Sequence, residues 1–180
     1  MGPCQIRREP NRFQALVRSI LSQQISGAAA ASIYRRLRAT LGANGSIDPQ
    51  RLAGMSIEQL RTAGVSASKA AYLLDLARKV TAKEVRLDRI GRFTDAEVIA
   101  ELIQIKGIGV WTAQMFLIFS LRRIDVFPAD DLGVRVALKN LYGLKELPDR
   151  KTSERIAAPW RPYATVGSWY CWRSLELPKL

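Results

Sequence analysis

Histidine is absent from this 180-residue chain. Any chemistry therefore falls to carboxylates, lysines and hydroxyls, and Ser-His-Asp, Cys-His and imidazole–metal sites are excluded. Two places carry residues at telling positions. The pair Asp130-Asp131 opens the apolar-periodic stretch Leu132 to Tyr142, where a carboxylate can cap a helix start or face a reacting group; composition alone favours the cap for both. The segment LIQIKGIGVWTAQMFLIF, from Leu102 to Phe119, sets Gly107 and Gly109 between two apolar helical stretches. Both glycines permit positive φ and close backbone approach, and the second helix offers unbonded N–H groups and its positive dipole end from Gly109 to Trp111. That arrangement holds a phosphate without reading sequence, although an ordinary helix–helix turn can have the same composition.

The elements that must position these residues are helical almost throughout. Phe13, Leu16, Val17, Ile20 and Leu21 predict an amphipathic helix ending at Ser22-Gln23-Gln24, and a second, capped by Ser26, runs to the Gly42–Gly45 loop. Asp48-Pro49 reads as an N-cap with proline in the first turn, and Ser56/Gln59 and Thr94/Glu97 have capping-box spacing. Further helices are expected through Ala70 to Ala77, Val98 to Ile103, Thr112 to Ser120, Leu132 to Tyr142 and Ala164 to Leu175. Alternating patterns are scarce and Ile124 to Phe127 is too brief to found a sheet, so the fold class is all-α. Ala63-Gly64-Val65-Ser66 precedes Lys69-Ala70 much as Lys106-Gly107-Ile108-Gly109 precedes Thr112-Ala113. This faint repeat is either a second hairpin or an unrelated helix junction.

Twenty-eight basic residues against 16 acidic ones give a net charge of +12, the footprint expected of a phosphate-rich partner. Cys4 and Cys171 stand far apart without a CxxC pair, so this chain cannot build a zinc site or a four-cysteine iron–sulfur cluster. No apolar run is long enough to span a bilayer, and the polar, Arg-rich start is no signal peptide. A reducing cytoplasm is the expected setting, nucleoid-associated in a bacterium.

LIQIKGIGVWTA resembles the helix-hairpin-helix of the DNA glycosylase superfamily that includes 3-methyladenine DNA glycosylase II and endonuclease III. FQALVRSILSQQIS (Phe13 to Ser26), VFPADDLGVRVAL (Val126 to Leu138) and PWRPYATVGSWYCWRSL (Pro159 to Leu175) match further family segments in the same order, nearest the alkylpurine branch. The resemblance covers nearly the whole chain. It implies one glycosylase domain of two helical lobes, roughly 23–122 and 1–22 packed with 123–180, with the active-site cleft between them. It also implies a monomer acting on double-stranded DNA with damaged bases.

The same resemblance assigns roles. Asp131 matches the catalytic carboxylate, which stabilises the oxocarbenium-like sugar and positions water, and for Asp130 the capping reading stands. Trp111, Trp169 and nearby Tyr170 match the base pocket; Met115 occupies a position where the bacterial enzyme has an aromatic, so the stacking set is incomplete. Relatives that also cleave the backbone carry a nucleophilic lysine where this chain has Trp111, which implies a monofunctional enzyme. Gln24 or Ile25 would fill the gap left by the flipped nucleotide, and Lys106, Gly107, Gly109 and Thr112 would hold phosphate. The carbonyls of Ile103, Ile105 and Ile108 match positions that hold Na+ or K+ in relatives, and no cofactor is required. Arg7, Arg8, Arg35, Arg36 and Arg38 are candidate phosphate contacts with no individual assignment. The expected substrates are 3-methyladenine, 7-methylguanine and ethenoadenine. Alternatives are a non-catalytic damaged-DNA-binding module, or a glycosylase for mismatched uracil or oxidised purine.

Overall fold

A computed structural model describes residues 1–7, 9–41 and 46–177, so Arg8 and the expected Gly42–Gly45 loop lie outside the described residues. The helices are α1 (Arg12–Ser22), α2 (Gly27–Thr40), α3 (Pro49–Ala53), α4 (Ile57–Thr62), α5 (Ala67–Thr81), α6 (Asp95–Leu102), α7 (Val110–Phe119), α8 (Leu132–Leu141), α9 (Arg150–Ala157) and α10 (Ala164–Glu176). Short 3-10 turns lie at Ile90–Arg92 and Ala158–Trp160, and no strand occurs among the described residues. The all-α expectation holds. No helix among the described residues is long and apolar enough to cross a membrane.

Helix starts follow their caps. The side chains of Asn11, Ser26, Asp48, Ser66, Asp131 and Asp149 each accept a backbone N–H from the first turn, and both expected capping boxes close reciprocally. In each box one side chain takes a free helix N–H while another takes the cap's own. A backbone hydrogen bond holds the Glu58 and Glu97 carboxyls below the usual range, with Ser56 and Thr94 hydroxyls adding to it.

The chain forms two compact units, Met1–Arg8 with Gln114–Leu180, and Glu9–Ala113. In the second unit α1 buries Phe13, Leu16, Val17, Ile20 and Leu21 and packs on α2 and α5, while α5 also carries α3 and α4. Each of those side chains contributes about 2 kcal/mol of burial. The sequence reading grouped 1–22 with the C-terminal stretch; the apolar stripe of α1 instead faces α2 and α5, which places Glu9–Ser22 with the hairpin-bearing unit. In the first unit α8 packs on α10 through Val134, Ala137, Leu138 and Cys171, flanked by Phe127, Ile156, Trp160 and Trp172.

Candidate active site

The glycine-rich turn after α6 is held from below by one face of α5. Gly107 has φ +80°, and a Cβ there would fall 2.2 Å from the Tyr72 ring, so both conformation and space demand glycine. Three residues further along α5, Asp75 accepts the Lys106 N–H at 2.8 Å and pairs at 3.2 Å with Lys79, whose ammonium donates to the Gln104 carbonyl. The turn is thus fixed at two backbone groups and one ring before any ligand arrives.

Gly109 is different from expectation: it has no positive φ, and nothing lies within 4 Å of where its Cβ would be. The fold makes no demand for glycine there, which leaves a smooth, open approach to the α7 N-terminus. Lys106 is exposed beside it, whereas Thr112 is only 5% exposed, so its side chain belongs to the core and only its N–H could meet a phosphate. The carbonyls of Ile103, Ile105 and Ile108 are uncharged oxygen donors of the kind hard cations accept, and that of Ile105 takes the Ile108 N–H at 3.1 Å through one of its two lone pairs.

The turn between α1 and α2 is tied to this hairpin. Gln23 Nε2 donates to the Gly107 carbonyl at 2.8 Å, and Lys69 Nζ donates to the carbonyls of Leu21 and Gln23, both at 2.7 Å. Burial lowers the Lys69 amine from its ordinary value. Gln24 and Ile25 are exposed at the tip, and Gln24 has φ +56°, a conformation uncommon for a residue with a side chain. Gly64 (φ +88°) precedes α5 as Gly107 precedes α7, so the internal repeat is two turns with the same left-handed glycine. Arg36 Nε donates to the Ala63 carbonyl at 2.9 Å in that first turn, which gives this arginine a structural task.

In the other unit, the loop before α8 delivers Asp131. Thr165 of α10 accepts the Val126 N–H at 2.9 Å and donates to the Arg123 carbonyl at 2.8 Å, and Asp131 N–H closes onto the Pro128 carbonyl at 2.9 Å. Asp131 is 8% exposed; its Oδ1 accepts the Val134 N–H at 2.8 Å as the α8 cap and the Trp172 indole N–H at 2.9 Å. Asp130 caps nothing: it is exposed and pairs with Arg150 at 3.2 Å, a correction to the capping reading. Beside Asp131, Cys171 is 2% exposed, and burial, reinforced by the Asp131 charge, pushes its thiol up to about 11.

Among the aromatics, Trp111 is 46% exposed at the start of α7, which is no place for a core side chain. Trp169 and Tyr170 meet edge to face with centroids 4.9 Å apart. Trp169 lines a cavity of about 380 Å³ with Met1, Gly2, Pro3, Gln5 and Arg173, and the Tyr170 hydroxyl donates to the Gly2 carbonyl at 3.1 Å. The Tyr170 polar end is therefore occupied by the chain's own backbone. Met115 is half-buried on α7. Trp172, Gln23 and Lys69 escaped the sequence reading, because each acts on a residue at least 41 positions away and no local pattern announces it.

Comparison with known proteins places the chain in a family. Residues 17–162 match the model of the HhH-GPD superfamily base excision DNA repair protein. DNA-3-methyladenine glycosylase 1 of Schizosaccharomyces pombe is 34% identical over 95% of this chain and 75% of its own length. The alkylbase DNA glycosidase-like protein mag2 of the same yeast is 30% identical over the whole chain and 85% of its own. Among solved structures, a DNA-3-methyladenine glycosidase from Bacillus halodurans superposes with TM-score 0.85 at 38% identity, covering 95% of this chain and 78% of that one. The Schizosaccharomyces pombe 3-methyladenine DNA glycosylase Mag1 in complex with abasic DNA also gives 0.85, at 32% identity over 98% and 86%. With its family segments in order on a matching all-helical fold, the chain belongs to the HhH-GPD superfamily of base excision DNA repair proteins.

Proposed function

We propose that this protein is a 3-methyladenine DNA glycosylase of base excision repair that hydrolyses the N-glycosidic bond of alkylated purines in double-stranded DNA. The observation that carries the reading is a buried, doubly hydrogen-bonded carboxylate, Asp131, at the start of the helix that follows the hairpin in sequence. Breaking the bond between the sugar C1′ and the purine sends the bonding electrons to the base and builds positive charge on the deoxyribose. A fixed carboxylate stabilises that charge, orients the water that adds at C1′ and accepts the proton that this water gives up. The leaving purine, made electron-poor by its alkyl group, gains from stacking on aromatic faces, the role given to Trp111 and Trp169.

The hairpin backbone around Gly107 and Gly109, with Lys106, holds a backbone phosphate. Gln24, at its exposed left-handed tip, fills the gap left by the flipped nucleotide, with Ile25 beside it. A Na+ or K+ bound at the Ile103, Ile105 and Ile108 carbonyls would add positive charge under that phosphate. Trp111 in place of a lysine removes the amine that a Schiff base needs, so the enzyme is monofunctional.

The test is a panel of duplexes carrying 3-methyladenine, 7-methylguanine, ethenoadenine, mismatched uracil or an oxidised purine, read for released base and for borohydride-trapped adduct. Release of methylated purines without a trapped adduct is expected. Release of uracil or oxidised purine alone, a trapped adduct, or tight binding with no release would overturn the specificity, the monofunctional mechanism or the enzymatic reading in turn.

A further inference from the structure

We infer that Trp172 is a positioning residue for excision: its indole N–H, held on α10, fixes the Asp131 carboxylate at the head of α8. This rests on the reading of Asp131 as the catalytic carboxylate. As the α8 cap, Oδ1 accepts the Val134 N–H at 2.8 Å, which orients the carboxylate only relative to its own helix. The Trp172 bond to the same oxygen, at 2.9 Å, adds a donor from a second helix 41 residues away. Two directional bonds from separate elements leave the side chain little rotational freedom, which an electrostatic stabiliser needs if it is to cost no reorganisation as charge develops.

The surroundings are shaped for this contact. A Cβ on Gly133 would lie 3.1 Å from Asp131 Oδ1 and 3.2 Å from Trp172 Cδ1, so the glycine keeps open the path by which the indole reaches the carboxylate. Phe119 of α7 stacks on the Trp172 ring with centroids 5.9 Å apart and planes 27° from parallel, setting the direction of the N–H. A half-buried indole such as Trp172 needs only some acceptor, and any carbonyl would satisfy it. Here the acceptor is a carboxylate whose cap is complete without it, so the bond serves Asp131 more than the cap.

The experiment separates the N–H from the ring that carries it. Single-turnover release of 3-methyladenine is measured for the unaltered protein, Trp172→Phe, and a protein with 3-benzothienylalanine at position 172, which keeps the bicyclic shape and replaces N–H by sulfur. Affinity for an abasic-site duplex is measured alongside. Loss of one charge-assisted hydrogen bond predicts release about 10- to 100-fold slower in both variants, with affinity unchanged. Unaltered release by the benzothienylalanine protein would overturn the inference, as would a loss of rate matched by an equal loss of affinity. Asp131→Asn, assayed in parallel, separates the two claims. If it releases base at the unaltered rate, the catalytic reading fails; if it is inactive while both Trp172 variants are normal, only the positioning role fails.

Discussion

A carboxylate at a helix start has a structural task whatever its chemistry, and at Asp131 the cap and the candidate catalytic group are one side chain. Capping and catalysis are compatible there, because the cap fixes the carboxylate that the reaction would use. The neighbouring Cys171 gives a pH test of this site. Its thiol keeps its proton to about pH 11 in the fold and to about 9 when unfolded. Between those values the folded state binds more protons, so this stabilising contribution is complete below pH 9 and lost as pH rises toward 11. Thermal melting from pH 8 to 11 should fall more steeply for the unaltered protein than for Cys171→Ala; parallel slopes would show that the thiol does not sense its surroundings this way. At this scale Asp131 was singled out only by the family resemblance of its segment, since composition alone favoured a helix cap there, and the cap is what the structure shows. The sequence reading missed Trp172, whose bond exists only once α8 and α10 pack, and misread Asp130, whose partner Arg150 lies a helix away.

The α6–α7 hairpin contains two glycines with different reasons to be glycine. Gly107 answers to the fold, and Gly107→Ala should lower stability by on the order of 2–3 kcal/mol, from the left-handed conformation and the displaced Tyr72 ring. Gly109→Ala, with open space at its Cβ, should leave the melting temperature unchanged; on the proposed reading it should weaken duplex binding, because the methyl group would stand in the way of the phosphate. Melting curves and anisotropy titrations check both, and normal binding by Gly109→Ala would remove the hairpin from the interface. Helices with an apolar stripe or a paired cap, such as α1, α4, α6 and α8, were legible from spacing. Helix α9 was not: its sequence RKTSERIA buries only Ser153 and Ala157, leaving almost no apolar period to read beside the Asp149 cap. Nor could spacing reveal that Tyr72, Asp75 and Lys79 of α5 brace the hairpin, since that depends on which face α5 turns toward the turn.

For the molecule as a whole, a +12 charge favours a phosphate-rich partner such as DNA, and the groups given roles in the proposed function fall in both units. The Glu9–Ala113 unit holds the hairpin and the Gln24 tip, linked through Gln23 to Gly107; the Gln114–Leu180 stretch holds Asp131 and Trp172. On the proposed reading, substitutions in the hairpin turn should change DNA affinity and substitutions at Asp131 the rate of base release. The most direct measurement is single-turnover release of 3-methyladenine from duplex DNA by Asp131→Asn against the unaltered protein, with affinity for an abasic-site duplex taken on the same preparations. Asparagine still caps α8, so the account predicts a folded protein that binds with unaltered affinity and releases base on the order of 100-fold more slowly or worse. Release at the unaltered rate would contradict it.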